Sequence, residues 1–315
     1  MGLIFGLAVT LTMTDELTIL DGNARLIYGQ DAETSLRSID TGSVQVVCTS
    51  PPYYNLRDYG ADGQLGREAT PQQYIENLVA LFREVRRVLR DDGSVWINIG
   101  DSYASKNLMG IPWRVALALQ ADGWWLRNDI IWHKPNPMPS SAQDRCTIAH
   151  EYLFLLTKSA SYYYDADAIR EPLAESTLAD KRLGAVHDEP RERYGGQASC
   201  PSSFAGANPL GANRRTVWTI TPNYYQGDHF AVFPEQIPER CILAGSRPGD
   251  LALDPFSGSG TTGKMAMKHG RRYLGLDINT DYLELASRRV DPYQSDTPST
   301  GEDEGQMALF TGVDE

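Results

Sequence analysis

Two hydrophobic periods take turns along this chain. Short apolar runs at 44–48, 94–99, 129–132, 152–157, 251–254 and 272–277 have the length and composition of strands. Between several of them, apolar residues recur every three to four positions. Thr70 before Pro71, with Gln73 three positions on, predicts a helix start by N-cap and capping box. Ile75, Leu78, Val79, Phe82, Val85 and Leu89 then fall on one stripe, and Asp91-Asp92-Gly93 is expected to end the helix. Further helices are predicted over 112–120, 261–269 and 281–290. Strands alternating with helices predict an α/β fold, a mostly parallel sheet covered on both faces. The sequence holds no internal repeat.

The periodicity fails in three places. Residues 166–216 are rich in Gly, Pro, Ser and Arg and follow neither period. Residues 1–12 include a short apolar run at 3–9 with no basic flank and no small-residue cleavage site. That makes a poor signal peptide, and the run is too short to span a bilayer. We read these residues as an extension outside the fold, with Met13 as the natural first residue. Residues 291–315 hold seven acidic residues and no Lys or Arg, and are read as a disordered acidic tail. The expected organisation is a catalytic lobe over 13–165, an inserted region over 166–216, and a return to the same domain over 217–290.

Charge and composition then narrow the function. A net charge of −12 argues against nucleic acid, but the tail carries seven of those charges, leaving −5 on the rest. The positive charge is 23 Arg against 6 Lys, and Arg suits planar contacts to phosphate and guanine. No apolar run is long enough for a membrane helix. The four cysteines form no CxxC pair, so a zinc site, another metal centre and a disulfide framework are all unexpected, and the reading is a reduced, cytoplasmic protein.

Two segments carry chemistry. In the first, Asp254-Pro255-Phe256-Ser257-Gly258-Ser259-Gly260-Thr261-Thr262 ends a strand, makes a Gly-rich turn and opens a helix. Gly258 and Gly260 let backbone approach a ligand in front of a helix N-terminus. Asp277, at the tip of the next strand, is placed to accept the ribose hydroxyls of a nucleoside cofactor. No Lys follows the glycines in Walker fashion, which disfavours ATP. In the second, Thr49-Ser50-Pro51-Pro52-Tyr53-Tyr54 follows the first strong strand. The prolines stiffen the backbone, the Ser50 hydroxyl and Pro51 carbonyl accept hydrogen bonds, and Tyr53 offers a flat ring. Such a set suits an exocyclic amine on a base, a poor nucleophile that needs acceptors as positive charge develops on nitrogen.

Together these segments resemble the β-group of amino-methylating DNA methyltransferases, the N4-cytosine/N6-adenine family. Ser50-Pro51-Pro52-Tyr53 matches the catalytic tetrapeptide, and 254–260 the cofactor motif. Residues 229–235, with Phe233 and Pro234, resemble the segment that completes the cofactor pocket, and Asp277 matches the ribose-binding acid. Asn98-Ile99-Gly100-Asp101-Ser102-Tyr103 and Trp132-His133-Lys134-Pro135-Asn136 also fit. The resemblance covers about 19–290. It implies a Rossmann-like methyltransferase fold with circularly permuted motif order, S-adenosylmethionine as methyl donor bound by Asp254, Phe256, Ser257, Gly258, Ser259, Gly260, Thr261 and Asp277, and a base extruded from double-stranded DNA.

It also makes 166–216 the target-recognition region, with Arg145, Arg182, Arg191, Arg193, Arg214 and Arg215 as candidate DNA contacts. A cognate restriction endonuclease and a homodimer are compatible with the family. Ser50, where many adenine enzymes carry Asp, leans the reading toward cytosine N4, with adenine N6 as the alternative. A module that keeps the fold and DNA binding without turnover is the non-enzymatic alternative. A C5-cytosine enzyme is excluded, since no Pro-Cys pair supplies its thiolate. Arg83, Arg86, Arg87 and Arg90 are read as one solvated helix face, and Tyr162, Tyr163 and Tyr164 as the end of a strand.

Overall fold

The computed structural model describes residues 15–56, 60, 63–173, 208, 210–222 and 233–291. The terminal extensions, Arg182, Arg191, Arg193 and residues 229–232 lie outside them. The strands are β1 (Asp15–Ile19), β2 (Ala24–Tyr28), β3 (Val44–Thr49), β4 (Leu89–Ile99), β5 (Tyr103–Ala104), β6 (Asn107–Leu108), β7 (Trp125–His133), β8 (His150–Thr157), β9 (Val217–Thr219), β10 (Leu251–Asp254) and β11 (Arg272–Asp277). The helices are α1 (Ala32–Arg37), α2 (Pro71–Val88), α3 (Ile111–Ala121), α4 (Gln236–Gly245), α5 (Thr261–Lys268) and α6 (Leu283–Val290).

Nine of the strands form one sheet in the order β1-β2-β11-β10-β3-β4-β8-β7-β9, while β5 and β6 make a separate hairpin. Strands β2, β11, β10, β3 and β4 run parallel in succession. Strand β8 is antiparallel to both β4 and β7, and β1 is antiparallel to β2. The predicted mostly parallel α/β sheet is therefore present.

Alternation along each strand splits the core in two. On β3 and β4, Val47, Val95, Ile97 and Ile99 pack under Leu78, Phe82 and Val85 of α2. Val46, Cys48 and Trp96 face the other way, against Cys241 and Ile242 of α4 and Met265 of α5. A strand buried on both faces reads as a mostly apolar run, which is why β3 stands out in the sequence despite Gln45. Helix α2 starts as its capping residues require: Gln73 N donates to Thr70 Oγ1 at 3.2 Å, with Pro71 in the first turn. Among the described residues no helix is long and apolar enough to cross a membrane.

Three sequence expectations need correction. Helix α2 stops at Val88, before Asp91-Asp92-Gly93. Leu89 is fully buried and already pairs with Val44, and a register shift before Val46↔Ser94 carries the acidic residues as an irregularity within β4. Strand β8 ends at Thr157, so Tyr162, Tyr163 and Tyr164 do not finish it; Tyr164 stacks over Trp96 and Arg247 lies 3.8 Å above the Tyr163 ring. Nor are the arginines simply solvated. Arg83 clasps Asp122, Arg86 reaches the Gly123 carbonyl, and Arg87 donates to the Leu36 and Ile39 carbonyls. Arg90 belongs to β4 and meets Asp250.

Strands β3 and β10 lie side by side, and their crossovers leave in opposite directions. From β3 the chain passes through α2 to β4 on one side; from β10 it passes through α5 to β11 on the other. Beyond the carboxyl ends of such a pair a crevice opens, the usual ligand site of an open α/β sheet.

Candidate active site

Both sequence segments meet at this crevice. Thr49, the last residue of β3, donates through Oγ1 to Asp254 Oδ1 at 2.6 Å, and Thr262 of α5 donates to Asp254 Oδ2 at 2.7 Å. Phe256 N adds a third bond at 3.0 Å. Burial pushes the Asp254 carboxyl up to about 6, against the pull of these three donors. The sequence motif makes Asp254 a cofactor ligand. Its carboxylate is instead spent inside the protein, tying the start of the Ser50-Pro51-Pro52-Tyr53 loop to the Gly-rich loop.

The Gly-rich loop is held from several sides. Tyr28 Oη bonds the Ser257 hydroxyl and the Gly258 carbonyl, each at 2.8 Å. Tyr273 Oη meets the same Ser257 hydroxyl, and Arg289 reaches Ser259 Oγ at 2.6 Å and Thr261 Oγ1 at 3.3 Å. These three hydroxyls shape the loop. The glycines divide the work. Gly260 (φ +78°) packs on Ala286, whose backbone would lie 3.2 Å from an added Cβ, while Gly258 (φ +49°) has nothing within 4 Å of that position. Asp277 Oδ2 accepts from Gly258 N at 2.7 Å and Oδ1 from Asn279 N at 2.9 Å. Burial raises its carboxyl to about 6, with those two N–H groups opposing. Open space over a positive-φ glycine, a carboxylate beside it and a helix N-terminus behind it fit a nucleoside ligand. Phe256 and Phe233 are partly buried at the two faces of the sheet, and Pro234 is buried, its carbonyl accepting from Ile237 N at the start of α4.

The Ser50 loop is anchored as firmly. Tyr74 of α2 donates to the Pro52 carbonyl at 2.8 Å, and Pro51 is buried. The Tyr53 ring lies against Gly100, where an added Cβ would come within 2.7 Å of ring carbon Cε2. Its hydroxyl accepts from Ser50 Oγ at 3.4 Å and from Asn98 Nδ2 at 2.8 Å, and donates to Glu151 Oε2 at 2.5 Å. Asn98 also bonds that Glu151 oxygen at 2.8 Å, and Lys134 ion-pairs with Glu151 Oε1. Burial first, then the Glu151 charge, hold the Tyr53 phenol well above its ordinary value, so it stays a neutral hydroxyl.

Asn98, Gly100 and Lys134 sit in segments that the sequence singles out without giving them a role. Glu151 gives no signal at all. Sequence reading looks at the carboxyl ends of strands, but β8 runs antiparallel, so its first residues reach the crevice.

The expected DNA contacts fare unevenly. Arg214 donates to the Ile169 and Arg170 carbonyls and its side chain is 17% exposed, which makes it a structural tie and not a DNA contact. Arg215 is 85% exposed and pairs with Glu171. Arg145 lies 4.0 Å above the Tyr103 ring. The ends of the 166–216 segment belong to the scaffold, through the Glu171↔Ala212 bridge and the bond from Ile131 N to the Thr216 carbonyl.

A family model described as DNA methylase, for N6 and N4 enzymes, matches residues 44–288. The type II methyltransferase M.SmaI of Serratia marcescens is 42% identical over 297 residues, spanning 85% of this chain and 91% of the relative. M.Cfr9I of Citrobacter freundii is 40% identical over 300 residues, spanning 86% and 89%. Among solved structures, the cytosine-N4-specific PvuII DNA methyltransferase superposes with a TM-score of 0.63 at 20% identity, over 85% of this chain and 86% of that one. A DNA modification methylase of Thermus thermophilus, TTHA0409, complexed with S-adenosyl-L-methionine, gives 0.57 at 25% identity, over 85% and 96%.

Proposed function

Since the chain belongs to the N6/N4 DNA methylase family, we propose that its reaction is methylation of cytosine N4 in a specific DNA sequence. It is a DNA methyltransferase, and S-adenosylmethionine is its methyl donor, supplying an electrophilic methyl when bound. The observation that carries the reading is the junction at the switch point. The Thr49–Asp254 bond of 2.6 Å ties the residue before Ser50 to the start of the Gly-rich loop, which supports a base acceptor next to the donor's nucleoside. Gly258 backbone and Asp277 would hold the donor's nucleoside.

A paired base keeps its amine within the stack, so the target must leave the duplex. Tyr53 then stacks on it, while Ser50 Oγ and the Pro51 carbonyl accept its amine protons and leave the nitrogen lone pair toward the methyl. Ser50 supports cytosine over adenine, because a neutral hydroxyl stands where many adenine enzymes carry a carboxylate. Segment 166–216 is proposed to read the sequence, and its arginines at 182, 191, 193 and 215, together with Arg145, are the proposed DNA contacts. The type II designation of the relatives supports a companion endonuclease that cuts the same unmethylated site.

The test is to methylate unmodified DNA with labelled donor and resolve the nucleosides. Label in N4-methylcytosine is expected. Label in N6-methyladenine overturns the base assignment, and no label overturns the activity.

A further inference from the structure

Ser50 is an acceptor that has nowhere to keep a proton. When the amine nitrogen bonds to the methyl carbon, the carbon–sulfur electron pair leaves with sulfur and the nitrogen becomes positively charged with two hydrogens. One of them must go. A serine hydroxyl can take it only by giving up its own, and the geometry around Tyr53 offers that hydroxyl a path. Ser50 Oγ donates to Tyr53 Oη at 3.4 Å, and Tyr53 Oη donates to Glu151 Oε2 at 2.5 Å.

We propose that Ser50, Tyr53 and Glu151 form a proton relay that carries the amine proton from the methylated base to the Glu151 carboxylate. The inference rests on the reading of Ser50 as the amine acceptor. In the step, the amine proton passes to Ser50 Oγ, the Ser50 proton to Tyr53 Oη, and the Tyr53 proton to Glu151 Oε2. The products are a neutral methylamine, a neutral sulfide and a carboxylic acid, which later loses its proton to solvent. One positive and one negative charge disappear together.

The neighbours fix the direction of transfer. Asn98 Nδ2 donates to Tyr53 Oη at 2.8 Å, so that oxygen accepts from Ser50 and Asn98 and has one proton to give, aimed at Glu151. Lys134 pairs with the other Glu151 oxygen, and Oε2, which accepts from Asn98 Nδ2 at 2.8 Å, has its second lone pair for the Tyr53 proton. The neutral Tyr53 phenol passes a proton without holding a charge. Glu151 is a positioning residue in this scheme, acting on the amine only through Tyr53 and Ser50.

Single-turnover methylation separates the relay from simpler roles. Ser50→Ala serves as the control on the base reading, and full activity in it ends that reading and the relay with it. With Ser50→Ala slowed, Glu151→Gln and Tyr53→Phe are each expected to slow methyl transfer about 100-fold, within the range for positioned proton transfer. The double variant should be no slower than either alone, as for residues that act as a unit. DNA affinity and the fluorescence of 2-aminopurine at the target position, both read without cofactor, should stay as in the parent, because the Tyr53 ring is kept. Adding Ser50→Asp to Glu151→Gln should restore the rate at least about tenfold, since a carboxylate then meets the amine directly. Unchanged rates in Glu151→Gln and Tyr53→Phe overturn the relay and leave the base reading standing. Slow transfer with lost target fluorescence and no rescue by Ser50→Asp overturns it in favour of a scaffold role.

Discussion

Around β10 and β11 the groups proposed to face the ligand come from one continuous stretch of chain: Gly258 and Asp277, which bond each other, are 19 positions apart. Around β3 and β4 it is gathered from afar: Tyr53 meets Asn98 across 45 positions and Glu151 across 98. The proposed nucleoside cradle needs backbone N–H groups, glycines and one carboxylate, which one strand–turn–helix–strand unit supplies, Asp277 closing it at the tip of β11. The proposed base site takes its acceptors and its ring from one tetrapeptide, but the groups that fix that ring, Asn98, Gly100 and Glu151, come from other strands converging on the same edge. A local site survives as a motif. A convergent site leaves fragments that take on meaning only once the sheet order is known.

The largest expected effect falls on the convergent side. Ser50→Ala should lower the single-turnover methylation rate by about 10²–10³, the range for loss of one group that stabilises developing charge. DNA and cofactor affinity should change little, because the acceptor matters most in the transition state. Loss of cofactor affinity on titration of this variant would erase the proposed division between the two halves.

Next in size is Asp277→Ala, on the local side. It should weaken S-adenosylmethionine binding by about 1.5–3 kcal/mol in calorimetry, the worth of hydrogen bonds to a charged acceptor. Binding of target DNA alone should be unaffected. Unchanged cofactor affinity would remove Asp277 from the cradle.

The same contrast explains what the sequence shows without the fold. Strands β3, β10 and β11 are legible because burial on both faces makes them mostly apolar runs, and the start of α2 because Thr70, Pro71 and Gln73 each have a local reason to be there. Strands β1 and β2 and helices α1 and α4 are not legible. Their short segments mix polar and apolar residues, and their place depends on partners far along the chain, as β2 depends on β11. At the site, Asp254 is visible as an acid after a strand, but its task is not. Only the alignment of β3 with β10 brings Thr49 to its carboxylate. Glu151 is hidden by the reversed direction of β8. Its carboxylate looks like an ordinary polar start to a strand until Tyr53, Asn98 and Lys134 are seen around it.

A smaller effect follows from acidity. Burial lifts the Asp277 carboxyl from its ordinary value to about 6, and the proposed bonds from the ribose hydroxyls require the ionised form. Affinity for S-adenosylmethionine should therefore be full above pH 7 and fall as pH drops through about 6. At pH 5 it should be about tenfold weaker, one decade per unit below the midpoint. Donors on the cofactor favour the carboxylate over the acid, so binding at pH 6 releases protons. Asp254 titrates in the same range, so the control is Asp277→Asn, which should bind weakly with a flat profile. A parent-like profile in that variant would assign the acid limb to Asp254.

The smallest expected effect on the fold is the most direct probe of the cradle. Gly258 has φ +49°, and an added Cβ there meets nothing within 4 Å, whereas at Gly260 it would meet the Ala286 backbone at 3.2 Å. Gly258→Ala thus carries only the conformational cost of a left-handed residue, about 1–2 kcal/mol. Gly260→Ala adds a collision with backbone that cannot turn aside, so it should lower the unfolding midpoint further. Cofactor affinity should rank the two in the opposite order among folded molecules. The methyl at 258 projects into the space the nucleoside would fill, while that at 260 points into α6. If urea unfolding shows a small loss for Gly258→Ala and calorimetry shows unchanged binding of S-adenosylmethionine, the open face of this loop is not where the nucleoside lies. The contrast between a local cradle and a convergent base site would then lose its first half.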